Sequence, residues 1–339
     1  MVKPLKVIEP GVPDGGLRSG LPCWLEMPEP LTPDTVVAAV DRVLADLDRL
    51  GVSDLHLDPQ ASGYLVRFRK DGAFVDLGRR SCDDAGRLIA RLKVMARLAV
   101  YRTDVAQEGS LALPEGRGSV RLSTIPTVNG ERAVLRFLGV SEAYGDLESL
   151  GFDPDFMRRY RALLATPQGL VLVTGPSGSG KTTTLYASIK EIARHQGSYR
   201  SIVTLEDPVE RNLGDVVQME VSAERGLTFP TGLKALLRQN PEVLMVGEIR
   251  DRETAQIAVQ AGLTGHLVLS SLHTSSSVEA LIRLQDLGIE PGLVAGAIKA
   301  LVSQRLVPLL CRHGDSDAVR CSRCGNTGLA GRRAIGELM

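Results

Sequence analysis

A chain of 339 residues is long enough for about two domains and a sizeable core. Its composition, 43% hydrophobic and 24% charged, is that of an ordinary globular protein, and no run of about 18 apolar residues occurs that could cross a membrane as a helix. Forty basic residues balance forty acidic ones, so no overall excess of charge favours a nucleic-acid or lipid surface. Residues 1–31, dense in proline, lack the basic-then-apolar pattern of a signal peptide. They read as a flexible lead-in to a cytoplasmic protein. A first α+β domain is expected over residues 32–140. It opens on a helix capped by Thr32 with Pro33 in its first turn, in which Val37, Val40, Leu44 and Leu47 recur at helical spacing. "YLVRFRKDGAFVDL" alternates apolar and polar residues around Asp71-Gly72 and reads as a hairpin. "DDAGRLIARLKVMARLAV" reads as a second amphipathic helix, and "SVRLSTIPTVNGERAVLRFL" as a second hairpin turning near Asn129-Gly130.

Residues 141–150 read as a linker, and the pattern changes beyond them. Short apolar runs ("GLVLVT", "SIVTLE", "VLMVGE", "HLVLSS") alternate with helical stretches over residues 151–339. Such strands are expected to form a mostly parallel sheet covered on both faces, an α/β domain.

The first of these strands runs into Gly175-Pro176-Ser177-Gly178-Ser179-Gly180-Lys181-Thr182, a full match to G-x-x-x-x-G-K-[ST], followed by Thr183 and a helix. Glycines let the backbone wrap so that successive N–H groups face phosphate oxygens, and the helix adds its positive end. Lys181 is expected to reach the β- and γ-phosphates of a nucleotide, and the Thr182 hydroxyl to bind Mg²⁺. Binding alone does not cleave a nucleotide; a positioned water and a shared metal are also needed. Glu206 and Asp207 follow one strand and Glu248 follows another, and in an open parallel sheet these ends face the same crevice as the loop. His266 and His273 flank "LVLSSL"; His273 is the stronger candidate for sensing a γ-phosphate, although histidines bracketing a core strand also occur as simple satisfied polar groups.

Taken together, these residues resemble the secretion ATPase superfamily, the motors of type II secretion and type IV pilus assembly. "GPSGSGKTTTLYA" matches its phosphate loop, "TLEDPVE" its acidic box, "LRQNPEVLMVGEIRD" its Walker B segment and "AGLTGHLVLSSLHT" its histidine box. In the first domain "SDLHLDP", "VRFRKDG", "RLKVMA" and "VRLSTIPTVNGERAVLRFL" also match, so the resemblance covers about residues 50–339. It implies a RecA-like P-loop ATPase domain preceded by a smaller PAS-like domain, assembled as a homohexamer. It also implies ATP with Mg²⁺, catalytic roles for Lys181, Glu206, Glu248 and His273, and an arginine, Arg121, that approaches the γ-phosphate. The implied partner is an inner-membrane platform protein, with the motor peripheral to that membrane and no nucleic acid bound.

The chain departs from the family at several points. Ser110 in "AQEGS" stands where the family usually has an arginine, which implies reduced turnover unless Arg136 or another arginine compensates. The family's zinc segment usually holds two C-x-x-C pairs. Here Cys321 and Cys324 form one, while Gly314 interrupts the other, leaving Cys311 with His313 as nearest alternative ligand. Three cysteines and His313 would complete a tetrahedral zinc site; a metal-free thiol cluster is the other reading. Only about thirty residues precede the first domain, where assembly motors often carry another domain, and the family usually continues beyond the position of Met339. The sequence thus leads to an assembly or secretion motor. The alternatives are a retraction-type or DNA-uptake motor and an ATP-gated binding module with little turnover.

Overall fold

Thr32 opens the first regular element. In the computed structural model, which describes residues 27, 29–113, 118–139, 145–195, 200–311, 324 and 328–339, its hydroxyl accepts from the Thr35 amide and the Thr35 hydroxyl accepts from the Thr32 amide. This reciprocal cap, with Pro33 in the first turn, starts helix α1 (Pro33–Arg49). The helix buries Val36, Val40, Val43, Leu44 and Leu47. Val37, assigned to that face by periodicity, is 40% exposed instead. A stripe of i, i+3, i+4 contacts is satisfied equally well by Val36 and Val43.

The chain clusters into two compact units, one taking in the chain to Gly139 with Leu309–Gly331, the other Val140–Pro308 with Arg332–Met339. In the first, six strands form a sheet of order β3-β2-β1-β6-β5-β4. These are β1 (Asp54–Gln60), β2 (Gly63–Lys70), β3 (Ala73–Arg80), β4 (Gln107–Ala112), β5 (Gly118–Thr127) and β6 (Gly130–Gly139), each antiparallel to its neighbours. Helix α2 (Cys82–Met95) follows β3. Alternate residues Leu55, Leu57, Val66, Phe68, Val120, Leu122, Ala133 and Leu135 join α1 and α2 in one apolar core. Strand β4 was not foreseen. It is an edge strand of sequence QEGSLA in which only Leu111 is buried, so neither alternation nor β-propensity marks it.

The second unit holds a seven-stranded sheet of order β13-β12-β7-β11-β10-β8-β9. Its strands are β7 (Gly169–Thr174), β8 (Ile202–Glu206), β9 (Val217–Glu220), β10 (Val243–Val246), β11 (Leu267–Leu272), β12 (Ile298–Leu310) and β13 (Leu329–Leu338). From β12 to β9 every neighbouring pair is parallel. Every residue of β7, β8, β10 and β11 is buried. Alternate side chains divide between two cores: Val171, Val173, Val243, Met245, Leu267 and Leu269 in one, Leu170, Leu172, Leu244, Val246 and Val268 in the other. Apolar packing on both faces is why these strands read as continuous apolar runs.

The helices are α3 (Pro154–Leu164), α4 (Lys181–His195), α5 (Phe229–Leu237), α6 (Arg252–Leu263), α7 (Ser277–Asp286) and α8 (Pro291–Ala297). Within the stretch read as a linker, Leu147 and Leu150 are buried in the second unit's core, and a short 3-10 turn spans Glu148–Leu150. No helix among the described residues is long and apolar enough to cross a membrane.

Candidate functional site

Because β7, β11, β10 and β8 are parallel neighbours, their carboxyl ends line one edge of the sheet. The segments leaving that edge are Gly175–Thr182, His273, Gly247–Glu248 and Glu206–Asp207. In open parallel sheets this edge is where ligands bind. The sheet order places β11 beside β7, so His273 lies against the phosphate loop, and β10 next, so Glu248 follows.

The loop has the backbone that its glycines permit. Gly175, Gly178 and Gly180 have φ of +152°, +75° and +87°, values that side-chain-bearing residues rarely adopt. A Cβ at Gly175 would lie 2.4 Å from Ser179 Oγ and 2.6 Å from the Gln304 carbonyl oxygen. Pro176, Ser177 and Gly178 are exposed at the tip, Ser179 and Lys181 are buried, and Thr182 and Thr183 are half-buried at the start of α4. Thr174 Oγ1 and Ser179 Oγ are buried with no hydrogen-bond partner among the described residues. Left-handed glycines, a helix start and orphaned hydroxyls together fit a phosphate group.

Lys181 Nζ donates to the carbonyls of Gly175 (2.9 Å) and Pro176 (3.1 Å) and lies 3.4 Å from His273 Nδ1. An ammonium only donates, so Nδ1 accepts and the proton of a neutral His273 sits on Nε2, which faces Glu248 Oε2 at 3.2 Å. Burial holds the Lys181 ammonium below the usual lysine range; Glu248 opposes this and Arg305 adds to it. Arg250 pairs with Glu248 and lies 3.5 Å from Asp207, and its hydrogen bond to Glu248 raises its already high pKa. Lys181, His273, Glu248, Arg250 and Asp207 thus form one connected string of charged and polar groups.

Glu206 is enclosed. It accepts hydrogen bonds from Tyr186 on α4, from Thr204 at 2.6 Å and from Gln218 at 2.9 Å, and only 3% of its surface is exposed. Burial, followed by the bond to Glu206, pushes the Tyr186 hydroxyl well above its ordinary pKa, so it stays a proton donor. His266, at the opposite end of β11, bonds its Nδ1 to the Ala261 carbonyl at 3.1 Å. It stands away from the carboxyl edge and caps the end of α6.

Arg121 belongs to the first unit. It pairs with Glu108 at 3.2 Å and lies in register between Ser110 of β4 and Arg136 of β6. Arg136 pairs with Asp54 at 3.1 Å, and Arg67 with Asp58 at 2.9 Å. Arg67 and Arg69 both lie over the ring of Phe74. Of the expected zinc ligands, Cys311 is half-buried and Cys324 is buried, while His313 and Cys321 lie outside the described residues. Among the described residues no group of three or more His, Cys, Asp or Glu is placed to hold a metal.

Tyr186, Arg250 and Gln304 escaped the reading of the sequence. Tyr186 carries a faint signal, since it lies on the helix that leaves the phosphate loop. Gln304 carries none, because it meets the loop from 125 residues away.

Comparison with known proteins agrees with this architecture. The model of the family described as "Type II/IV secretion system protein" matches residues 32–339. Type II secretion system protein HxcR of Pseudomonas aeruginosa is 44% identical over 89% of this chain and 66% of its own length. Type II secretion system protein E of Klebsiella pneumoniae is 42% identical, covering 90% of this chain and 65% of its own. The chain therefore spans just under two thirds of these relatives. Among solved structures, the pilus retraction motor PilT with bound ADP superposes with a TM-score of 0.62 at 26% identity, covering 88% of this chain and 82% of that one. The Legionella pneumophila ATPase DotB gives a TM-score of 0.68 at 25% identity, covering 92% and 83%. The mixed α/β fold is that of these ATPases, and the chain belongs to the type II/IV secretion system protein family.

Proposed function

We propose that this chain is an ATP-hydrolysing motor subunit that powers type II protein secretion or the assembly of a pilus or pseudopilus. The observation that carries the reading is the carboxyl edge of the parallel sheet, where a complete phosphate loop meets Lys181, His273 and Glu248. In this reading the second unit is a RecA-like ATPase domain and the first a PAS-like domain. The backbone of Gly175, Pro176, Ser177, Gly178, Ser179, Gly180, Lys181, Thr182 and Thr183 cradles the phosphates, and Lys181 turns from the loop carbonyls to the β- and γ-phosphates.

Thr182 holds Mg²⁺, which neutralises charge on the phosphate oxygens when bound, and Glu248 supports that ion through water. Glu206 orients the attacking water, and His273 senses the γ-phosphate. Arg121 supplies a guanidinium to the triphosphate in a homohexamer. The site works on an inner-membrane platform protein from the cytoplasm, without nucleic acid. Zinc held by Cys311, His313, Cys321 and Cys324 belongs to the same proposal and rests on cysteine spacing.

Ser110 favours a second reading, an ATP-gated binding module with little turnover. An exposed serine sits directly across from Arg121, where the family resemblance places an arginine. Phosphate release from ATP by the purified chain separates the two. The motor reading expects Mg²⁺-dependent hydrolysis that disappears in Lys181→Ala. Nucleotide binding without hydrolysis supports the gated module, and hydrolysis that survives in Lys181→Ala overturns the cradle.

A further inference from the structure

We infer that Gln304, on β12, is a positioning residue of the phosphate loop: it turns the Gly180 N–H toward a bound phosphate by gripping the carbonyl on the other side of the same peptide. This deepens the nucleotide reading and rests on it. Gln304 is 1% exposed, and both halves of its amide are engaged. Nε2 donates to the Ser179 carbonyl at 2.6 Å, and Oε1 accepts from the Thr184 hydroxyl at 2.8 Å. A carbonyl can only accept, so the nitrogen must face Ser179, and chemistry alone fixes the orientation of the amide.

A trans peptide points its C=O and N–H in opposite directions. With the Ser179 carbonyl held against β12, the Gly180 N–H of the same peptide is turned away from that strand. Among the described residues this N–H takes no hydrogen bond, as befits the free first amides of a helix. The other end of the clamp is equally fixed. Thr184 is 1% exposed on the first turn of α4, and its own N–H bonds to the Gly180 carbonyl at 3.0 Å. Gln304 therefore holds the loop and the helix start as one piece. It also explains Gly180, whose φ is +87° and where a Cβ would come within 3.1 Å of Gln304 Nε2.

Equilibrium binding of a fluorescent Mg-ADP analogue to wild type, Gln304→Met, Gln304→Glu and Lys181→Ala tests this, with thermal melting of each protein in the absence of nucleotide. Methionine keeps the length and loses the donor, and affinity is expected to fall about ten- to a hundredfold. Glutamate can accept from Thr184 but repels the Ser179 carbonyl until it is protonated. Its affinity is therefore expected to be weak at neutral pH and to recover as pH falls through the raised pKa of a buried carboxyl. A residue that merely fills space would give neither the loss in Gln304→Met nor the pH recovery in Gln304→Glu. Should Gln304→Met melt too low to assay, the pH profile of Gln304→Glu decides, and a flat profile overturns the inference. Wild type that binds, Lys181→Ala that does not, and Gln304→Met that binds like wild type also overturn it, leaving the cradle intact. Wild type that binds no nucleotide overturns the nucleotide reading itself and this inference with it.

Discussion

Glu206 ends β8 and Glu248 follows β10, its neighbour in the sheet, yet their surroundings assign them different work. Glu248 touches His273 and Arg250 and acts electrostatically on Lys181, so it stands on the phosphate side of the site. Glu206 has its oxygens fixed by Tyr186, Thr204 and Gln218, which leaves it little freedom to turn. A carboxylate held this rigidly suits the orienting of one water better than the wrapping of a metal. Glu206→Gln keeps the size of the side chain and removes its basicity. The variant is expected to bind ATP as wild type does while cleaving it about a hundredfold more slowly or worse, as read from binding and single-turnover hydrolysis. Turnover at the wild-type rate would hand the role to Glu248. The two carboxylates were legible in the sequence because each stands at the end of an apolar run. Tyr186 and Gln218, which set the difference between them, were not, since a side-chain contact across twelve or twenty residues leaves no local pattern.

At the scale of elements, legibility followed burial. The strands β7, β8, β10 and β11 announced themselves as apolar runs because both of their faces are covered. The edge strands β4 and β9 did not, for their residues are mostly exposed or half-buried and obey no period. Strand β12 stayed hidden for another reason. Its run "IKALVSQRLVPLL" is broken by Lys299 and by Ser303, Gln304 and Arg305, of which Gln304 is buried and bonded to the loop. The carboxyl end of β12 bears on the cysteine segment. The Cys311 N–H donates to the Gly328 carbonyl at 2.7 Å, so the ends of the segment between β12 and β13 are already joined at their base. Joining them removes much of the entropy that a metal would otherwise have to overcome in gathering its ligands. Freshly purified protein is accordingly expected to contain about one zinc per chain by elemental analysis, and less after Cys324→Ser. Protein prepared in zinc-containing medium with none bound would remove zinc from the proposal and leave a thiol cluster.

At the scale of the molecule, the mostly parallel α/β sheet and the glycine-rich loop that leaves β7 were legible because both are written in contiguous stretches. The charged face of the first unit was less legible. The family resemblance singles out Arg121 and Arg136, but only strand register shows Arg67, Arg121, Arg132 and Arg136 set among Asp54, Asp58 and Glu108. Each is held by a carboxylate in the isolated chain, so a guanidinium must exchange that partner before it can serve a triphosphate. Such an exchange is favourable where a phosphate offers more charge than the carboxylate and the site is closed to water. Closure of this kind is what assembly into a ring would supply, since a heterologous contact between identical chains completes itself only when the rotation closes. Hydrolysis per subunit is therefore expected to rise as the protein is concentrated, in step with the larger species seen by sedimentation. Activity per subunit that stays constant from dilute to concentrated solution, while sedimentation reports a monomer throughout, would mean that one chain holds a complete site and that the ring is not part of the chemistry.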